Sequence, residues 1–170
     1  MPKFNDYETS DEVSEIMHNM LGHYSNVFQG FDLGKVGFVH TKKKKSKRAI
    51  KVHSVKYPVD VWCTKTYIVE VFDDKWGGMS EKKRSISVFR AMLAMPDGGF
   101  DEQSKNYGKI RKPDIEMYTE EYVVCGGKTN WEDYQDEDLN APSVPSDKSP
   151  ITLDDIASVG RGSELEESEE

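Results

Sequence analysis

The stretch SEKKRSISVFRAMLAMP, residues 80–96, predicts a helix in the middle of the chain. Ser80 suits the N-cap position, because a serine side chain accepts a hydrogen bond from a free backbone N–H of the first turn. Pro96 ends the helix, since proline cannot continue the hydrogen-bond ladder. The apolar stripe of this helix consists of Ile86, Phe89 and Leu93, with Arg90 and Ala94 along one border.

Strand patterns precede this helix. TYIVEVF, residues 66–72, is rich in β-branched and aromatic residues and predicts a buried strand, and residues 59–63 have a similar composition. Apolar residues alternate over residues 36–40 and again over residues 50–55, with a basic run between them. The chain therefore predicts a small sheet whose first two strands are joined by a basic loop.

Two further helices are predicted, one on each side of this region. In the first, Thr9 and Glu12 match a capping box, an apolar stripe runs from residue 13 to residue 21, and Gly22 supplies a C-terminal stop. The last helix has Pro113 in its first turn and Gly126 as its stop. The fold class that follows is α+β, with an N-terminal helix, a small mixed sheet and two further helices.

Charge divides the 170 residues unevenly. Residues 1–130 hold 21 Lys/Arg and 18 Asp/Glu, whereas residues 131–170 hold 2 Lys/Arg and 13 Asp/Glu. The second part is also poor in large apolar residues, so it cannot bury enough surface to offset its ordering entropy. We expect one domain over residues 1–131 and an acidic, disordered tail over residues 132–170.

The sequence also indicates a compartment. No apolar run approaches the roughly 20 residues that span a bilayer, and the N-terminus has no apolar signal region. Cys63 and Cys125 are too few and too far apart for a disulfide framework. We therefore expect a cytoplasmic protein with reduced thiols and no membrane partner.

Three segments together resemble the phage putative metallopeptidase family, which has a zincin-like fold. They are TYIVEVFDDKW at residues 66–76, the helix at residues 80–96, and RKPDIEMYTEEYVVCGGKTNW at residues 111–131. The resemblance covers about residues 8–131. It implies a single zincin-like domain, a bacteriophage origin, and hence the host cell cytoplasm.

The resemblance also implies a zinc site that this sequence does not carry. The family's helix bears His-Glu-x-x-His, in which the histidines bind zinc and the glutamate activates water, and a third histidine precedes an aspartate at the last helix. No histidine follows His53 in this chain. The family positions are occupied by Arg90, Ala91, Ala94 and Pro113, and only Asp114 is retained. We expect no metal, no cofactor and no catalytic residue.

Arg90 and Asp114 form the first candidate binding site. Arg90 borders the apolar stripe of the helix that faces the metal in the family. Either its long side chain extends from the stripe edge to solvent, or its charge replaces that of zinc and pairs with Asp114 across the site.

A basic patch forms the second candidate, and it consists of Lys42, Lys43, Lys44, Lys45, Lys47 and Arg48. Clustered cations suit nucleic-acid phosphates, but no aromatic residue for base stacking lies among these lysines. The alternative is that the acidic tail folds back over the patch.

Three functions remain. The preferred one is a pseudoenzyme, a catalytically inactive relative of a phage metallopeptidase that binds an unknown protein partner through its former cleft or its tail. The second is an acidic effector that competes for a basic host surface or a nucleic-acid-binding surface. The third is a peptidase whose metal site is not recognised.

Overall fold

The computed structural model of the chain describes residues 7–42, 45–56, 58–113, 118–128 and 131–138. These residues contain a four-stranded mixed sheet and four α-helices, so the predicted α+β class is confirmed. The elements in chain order are β1 Tyr7–Thr9, α1 Asp11–His23, β2 Val36–Thr41, β3 Ile50–Ser54, β4 Tyr67–Phe72, α2 Asp73–Trp76, α3 Glu81–Leu93 and α4 Thr119–Val124.

The sheet has the strand order β1-β2-β4-β3. β2 and β4 are parallel, whereas β1 is antiparallel to β2 and β3 is antiparallel to β4. β2 and β3 follow each other in the chain but lie on opposite sides of β4. The apolar sequence of β4 explains this central place, because Tyr67, Val69 and Val71 are fully buried. β3 is an edge strand, and its Lys51 is exposed.

The main core lies where α1 and α3 pack together and against the sheet. Phe89 of α3 is at its centre and makes edge-to-face contacts with Tyr24 and Phe28, at ring-centroid distances of 5.1 and 5.5 Å. The buried face of α3 is broader than the predicted stripe, since Ser87, Ala91 and neighbouring residues are buried too. Helix α3 is therefore packed against other parts of the protein on several sides.

The structure confirms the predicted start of α3 and corrects both ends of α1. Ser80 accepts a hydrogen bond from the backbone N–H of Lys83 at 3.3 Å, which confirms the N-cap of α3. The capping box at Thr9 is wrong: Thr9 ends β1, and Ser10 is the N-cap of α1. Gly22 lies inside α1, which continues to His23. Pairing of β1 with β2 takes Thr9 out of the helix.

Two other sequence predictions need correction. The last helix, α4, begins at Thr119 and not at Pro113; residues 114–117 lie outside the described residues. Gly126 is its stop as predicted, with a φ of 70° that favours glycine. Residues 59–63 form no strand but a 3₁₀ turn, Val59–Val61, that leaves Trp62 90% exposed.

The described chain continues past the predicted domain boundary at residue 131. Trp131–Asp133 and Asp136–Asp138 form 3₁₀ turns, and Trp131 is buried in a small second core with Ile86 and Cys125. Lys83 donates to the carbonyl of Glu132 at 2.8 Å. The start of the acidic segment is thus fixed on α3. The prediction for the rest of the tail falls on residues 139–170, outside the described residues.

Among the described residues, no helix has both the length and the apolar character that crossing a membrane requires. Cys63 and Cys125 are both free thiols, and Cys125 is buried.

Candidate functional site

A cleft of about 260 Å³ opens between the edge strand β3 and helix α3. β3, α3, the segment before α4 and the 3₁₀ turn at Trp131 supply its walls. The lining residues are Arg48, Ala49, Ile50, Lys51, Val52, Ser87, Arg90, Ala91, Ala94, Ile110, Arg111, Lys112, Pro113, Tyr118, Trp131 and Glu132.

The cleft contains all four positions that the resemblance assigned to zinc ligands and the general base. Arg90, Ala91, Ala94 and Pro113 line it together, although Pro113 is distant from the others in sequence. None of these side chains offers a ligand atom for zinc, which needs about three protein ligands. The described residues contain no cluster of three or more His, Cys, Asp or Glu that could hold a metal ion. The described residues of this cleft therefore do not fit zinc.

Arg90 lies beside a buried carboxylate. Its Nη1 atom is 3.6 Å from Oε1 of Glu121 in α4, and the Glu121 side chain is completely buried whereas that of Arg90 is 23% exposed. Asp114, the partner predicted from the sequence, lies outside the described residues. The sequence alone does not identify Glu121 as the partner of Arg90, because nothing in TEEYVV distinguishes Glu121 from a residue on the exposed side of a short helix.

Among the described residues, the Glu121 carboxylate has three partners of different kinds. Besides Arg90, the indole N–H of Trp131 donates to Oε1 at 2.8 Å, and the backbone N–H of Tyr118 donates to Oε2 at 3.4 Å. Burial raises the pKa of Glu121, and Arg90 and the two hydrogen bonds partly offset this effect. The carboxylate thus links α3, α4 and the start of the acidic segment beneath the cleft.

Three arginines and Tyr118 line the cleft together, and the Arg111 guanidinium lies over the Tyr118 ring, 5.1 Å from the ring centroid. Burial raises the pKa of the Tyr118 phenol, while the positive charges of Arg90, Arg111 and Arg48 each act to lower it, and Glu121 raises it. The three arginines come from α3, the segment before α4 and the loop before β3, so only the fold brings them together. Such a set of cations suits a carboxylate or phosphate ligand, and Arg90 and Arg111 already pair with the carboxylates of Glu121 and Glu120.

The segment before α4, another wall of the cleft, is held by hydrogen bonds to its backbone. The N–H of Arg111 donates to the carbonyl of Ala94 at 2.8 Å, and the hydroxyl of Tyr118 donates to the carbonyl of Arg111 at 2.8 Å. The Arg111 guanidinium makes two hydrogen bonds to Glu120, at 3.0 and 3.4 Å. This segment belongs to the long loop after α3, and these hydrogen bonds attach it to the end of α3 and to α4.

The predicted basic patch joins this cleft through one residue. Lys45, Lys47 and Arg48 are exposed, and Arg48 lines the cleft. Lys42 pairs with Glu8 of β1, the strand at the edge of the sheet opposite β3. Lys43 and Lys44 lie outside the described residues. The patch and the cleft between β3 and α3 thus meet at Arg48.

A second, more open depression continues from the cleft along β3. Its lining residues are Ser54, Val55, Lys56, Asp60, Tyr107, Gly108, Lys109 and Ile110. Ile110 is common to both depressions. We call the two together the β3 groove. Among the described residues, seven Lys or Arg and two acidic residues line it.

Three other reactive or titratable side chains, Cys125, His53 and His40, have structural explanations. Burial raises the pKa of Cys125 to about 12, so its thiol is a poor nucleophile at neutral pH. His53 contacts the buried Glu70 at 2.8 Å, and Thr41 donates to the same carboxylate at 2.9 Å. His40 contacts Asp73 at 2.6 Å. His40 and His53 are strand residues, and neither lines the β3 groove.

Comparison with known proteins identifies the family of the chain. Residues 5–137 match the family described as Putative phage metallopeptidase. The chain belongs to this family, and the match spans every element of the groove. No curated protein and no solved structure matches the chain.

Proposed function

We propose that this family member binds an extended acidic peptide segment in the β3 groove and does not hydrolyse it. The observation that carries the proposal is the cationic lining of the cleft: Arg90 occupies the position assigned to the first histidine, and Arg48 and Arg111 line the same cleft. A cleft built this way attracts carboxylates and has no residue assigned to activate water.

The edge strand supports an extended ligand. β3 is last in the sheet order, so one side of its backbone has no strand partner among the described residues. An extended peptide can add to such an edge through main-chain hydrogen bonds. The groove follows the chain from Arg48 to Lys56, and a strand of that length spans about 30 Å.

The same geometry favours peptide over nucleic acid. Tyr118 and Trp131, the aromatic residues that line the cleft between β3 and α3, are only 4% and 2% exposed, and of the described aromatic residues in the whole groove only Tyr107, in the second depression, is exposed, at 37%. Buried rings offer little surface for base stacking, which supplies much of the affinity for single strands. A strand edge likewise recognises a peptide backbone and not a sugar-phosphate chain.

A titration of the full chain by fluorescence anisotropy tests the proposal. We expect a labelled acidic peptide of about ten residues, alternating Glu and Val, to bind on the order of 10-fold or more tighter than its Lys and Val counterpart. An acidic peptide N-methylated at alternate residues keeps its charge but loses donors for strand addition. We expect it to bind on the order of 10-fold more weakly.

Two results of this titration would contradict the proposal. Equal binding of the acidic and basic peptides would show that the cations of the groove do not select the ligand. Tighter binding of a single-stranded oligonucleotide of equal charge would favour the nucleic-acid alternative.

A further inference from the structure

The acidic segment of this chain begins beside the β3 groove. Glu132 lines the groove, and Trp131 next to it is buried in the second core. Ser80 donates to the carboxylate of Asp136 at 2.7 Å, and Lys82 donates to the Asp136 carbonyl at 2.7 Å. The last described turn is therefore fastened to the N-terminal end of α3, the helix that forms one wall of the groove.

Geometry and charge both connect the remaining chain to the groove. Residue 139 follows Glu132 by seven residues, which is within about 25 Å of extended chain. Residues 139–170 carry eight Asp/Glu and two Lys/Arg, the opposite balance to the groove lining. A polypeptide of this length reaches roughly 30 Å as a coil, similar to the length of the groove.

We infer that residues 139–170 are the resident ligand of the β3 groove and bind in it within the same molecule. This inference rests on the proposed function, because it names the acidic segment that the groove accepts. Tethering raises the local concentration of the segment to about the millimolar range, so even a weak contact is populated. A partner protein then has to displace the segment, and the groove is regulated by its own tail.

Carbodiimide cross-linking of the full chain tests this placement. The reagent joins carboxylates to lysines that lie in contact, and mass spectrometry locates the links. We expect links from residues 147–170 to Lys51, Lys109 and Lys112 of the groove, and on the order of 10-fold fewer to Lys65 and Lys105 outside it. Mixing light and heavy isotope-labelled protein separates links within one chain from links between chains.

The matched control is a full chain in which the eight acidic residues of 139–170 are replaced by Asn or Gln. We expect its affinity for the synthetic acidic peptide to rise on the order of 10-fold, because the competing tail is gone. Links spread evenly over groove and non-groove lysines, or found only between chains, would overturn the inference.

The same control separates this inference from the proposed function. If the neutralised chain binds the acidic peptide but the natural chain forms no groove links, the tail is not the resident ligand and the groove still binds peptides. If the neutralised chain fails to bind the acidic peptide, the proposed function fails and this inference fails with it.

Discussion

Replacing Arg48, Lys109 and Lys112 together by glutamate is expected to weaken binding of the acidic peptide on the order of 100-fold. Each unit of charge contributes about 0.5 kcal/mol to peptide binding at an exposed site, and each replacement of a cation by glutamate changes the charge by two units. The three replacements therefore weaken binding by about 3 kcal/mol in all. The three side chains are exposed, so folding should tolerate the change. Lys51 is left intact because it pairs in register with buried Glu70, and a second carboxylate there would repel it.

The control for this variant has the same net charge. Lys65→Glu, Lys75→Glu and Lys105→Glu lie outside the groove lining and should weaken peptide binding by less than about 3-fold at moderate salt. Anisotropy gives the dissociation constants, and circular dichroism verifies that both variants are folded. Equal weakening in the two triple variants would mean that overall charge, and not the groove, attracts the peptide.

Arg90→Met is expected to lower the free energy of unfolding by about 2–3 kcal/mol near neutral pH. Removing one partner of a buried ion pair costs about 3–5 kcal/mol, and partial exposure of Arg90 reduces that figure. The variant loses the guanidinium 3.6 Å from the completely buried Glu121 carboxylate. The double variant Arg90→Met/Glu121→Gln should recover most of the loss, since the buried charge is then absent.

The pH dependence of this loss has a definite sign. Burial already raises the pKa of Glu121 in the folded protein, and removal of Arg90 raises it further. A carboxylate whose pKa is higher in the folded than in the unfolded protein lowers the free energy of unfolding. This penalty is largest when the carboxylate is ionised, at a pH above its folded-state pKa. It disappears as the pH falls toward the unfolded-state pKa of about 4.5. The deficit of Arg90→Met relative to the natural chain should therefore shrink on acidification.

Urea unfolding at a series of pH values measures this effect. The difference between the natural chain and Arg90→Met should decrease between about pH 7 and about pH 5, while the double variant should show no such trend. A deficit that is constant with pH, or that Glu121→Gln does not relieve, would show that Arg90 stabilises the fold by packing alone.

Local patterns in the sequence predicted those elements whose structure depends on nearby residues. The Ser80 cap of α3, the strand within residues 66–72 and the stop at Gly126 each follow from a few neighbouring residues. Thr9 belongs to β1 and not to a helix cap because β2, far along the chain, pairs with it. Residues 59–63 have strand composition, yet the chain turns there before it enters β4.

The candidate site was predictable only in part. The residues that the resemblance assigned to the family's motif, Arg90, Ala91, Ala94 and Pro113, line one cleft, and the loss of a zinc site there stays a prediction. Glu121 as the partner of Arg90 was missed, because its burial depends on Trp131 and on the packing of α4 against α3. The contribution of Arg48 was also missed, since a position in a basic loop does not reveal which wall the residue joins.

The central claim is that the groove holds an acidic peptide without metal and without cleavage. The most direct test is to measure the dissociation constant of that peptide with the natural full chain, purified without added metal, before and after treatment with a chelator. Metal content and the mass of the recovered peptide are determined on the same samples. We predict an unchanged dissociation constant, an intact peptide and zinc far below one ion per chain; stoichiometric zinc with a cleaved peptide would contradict the account.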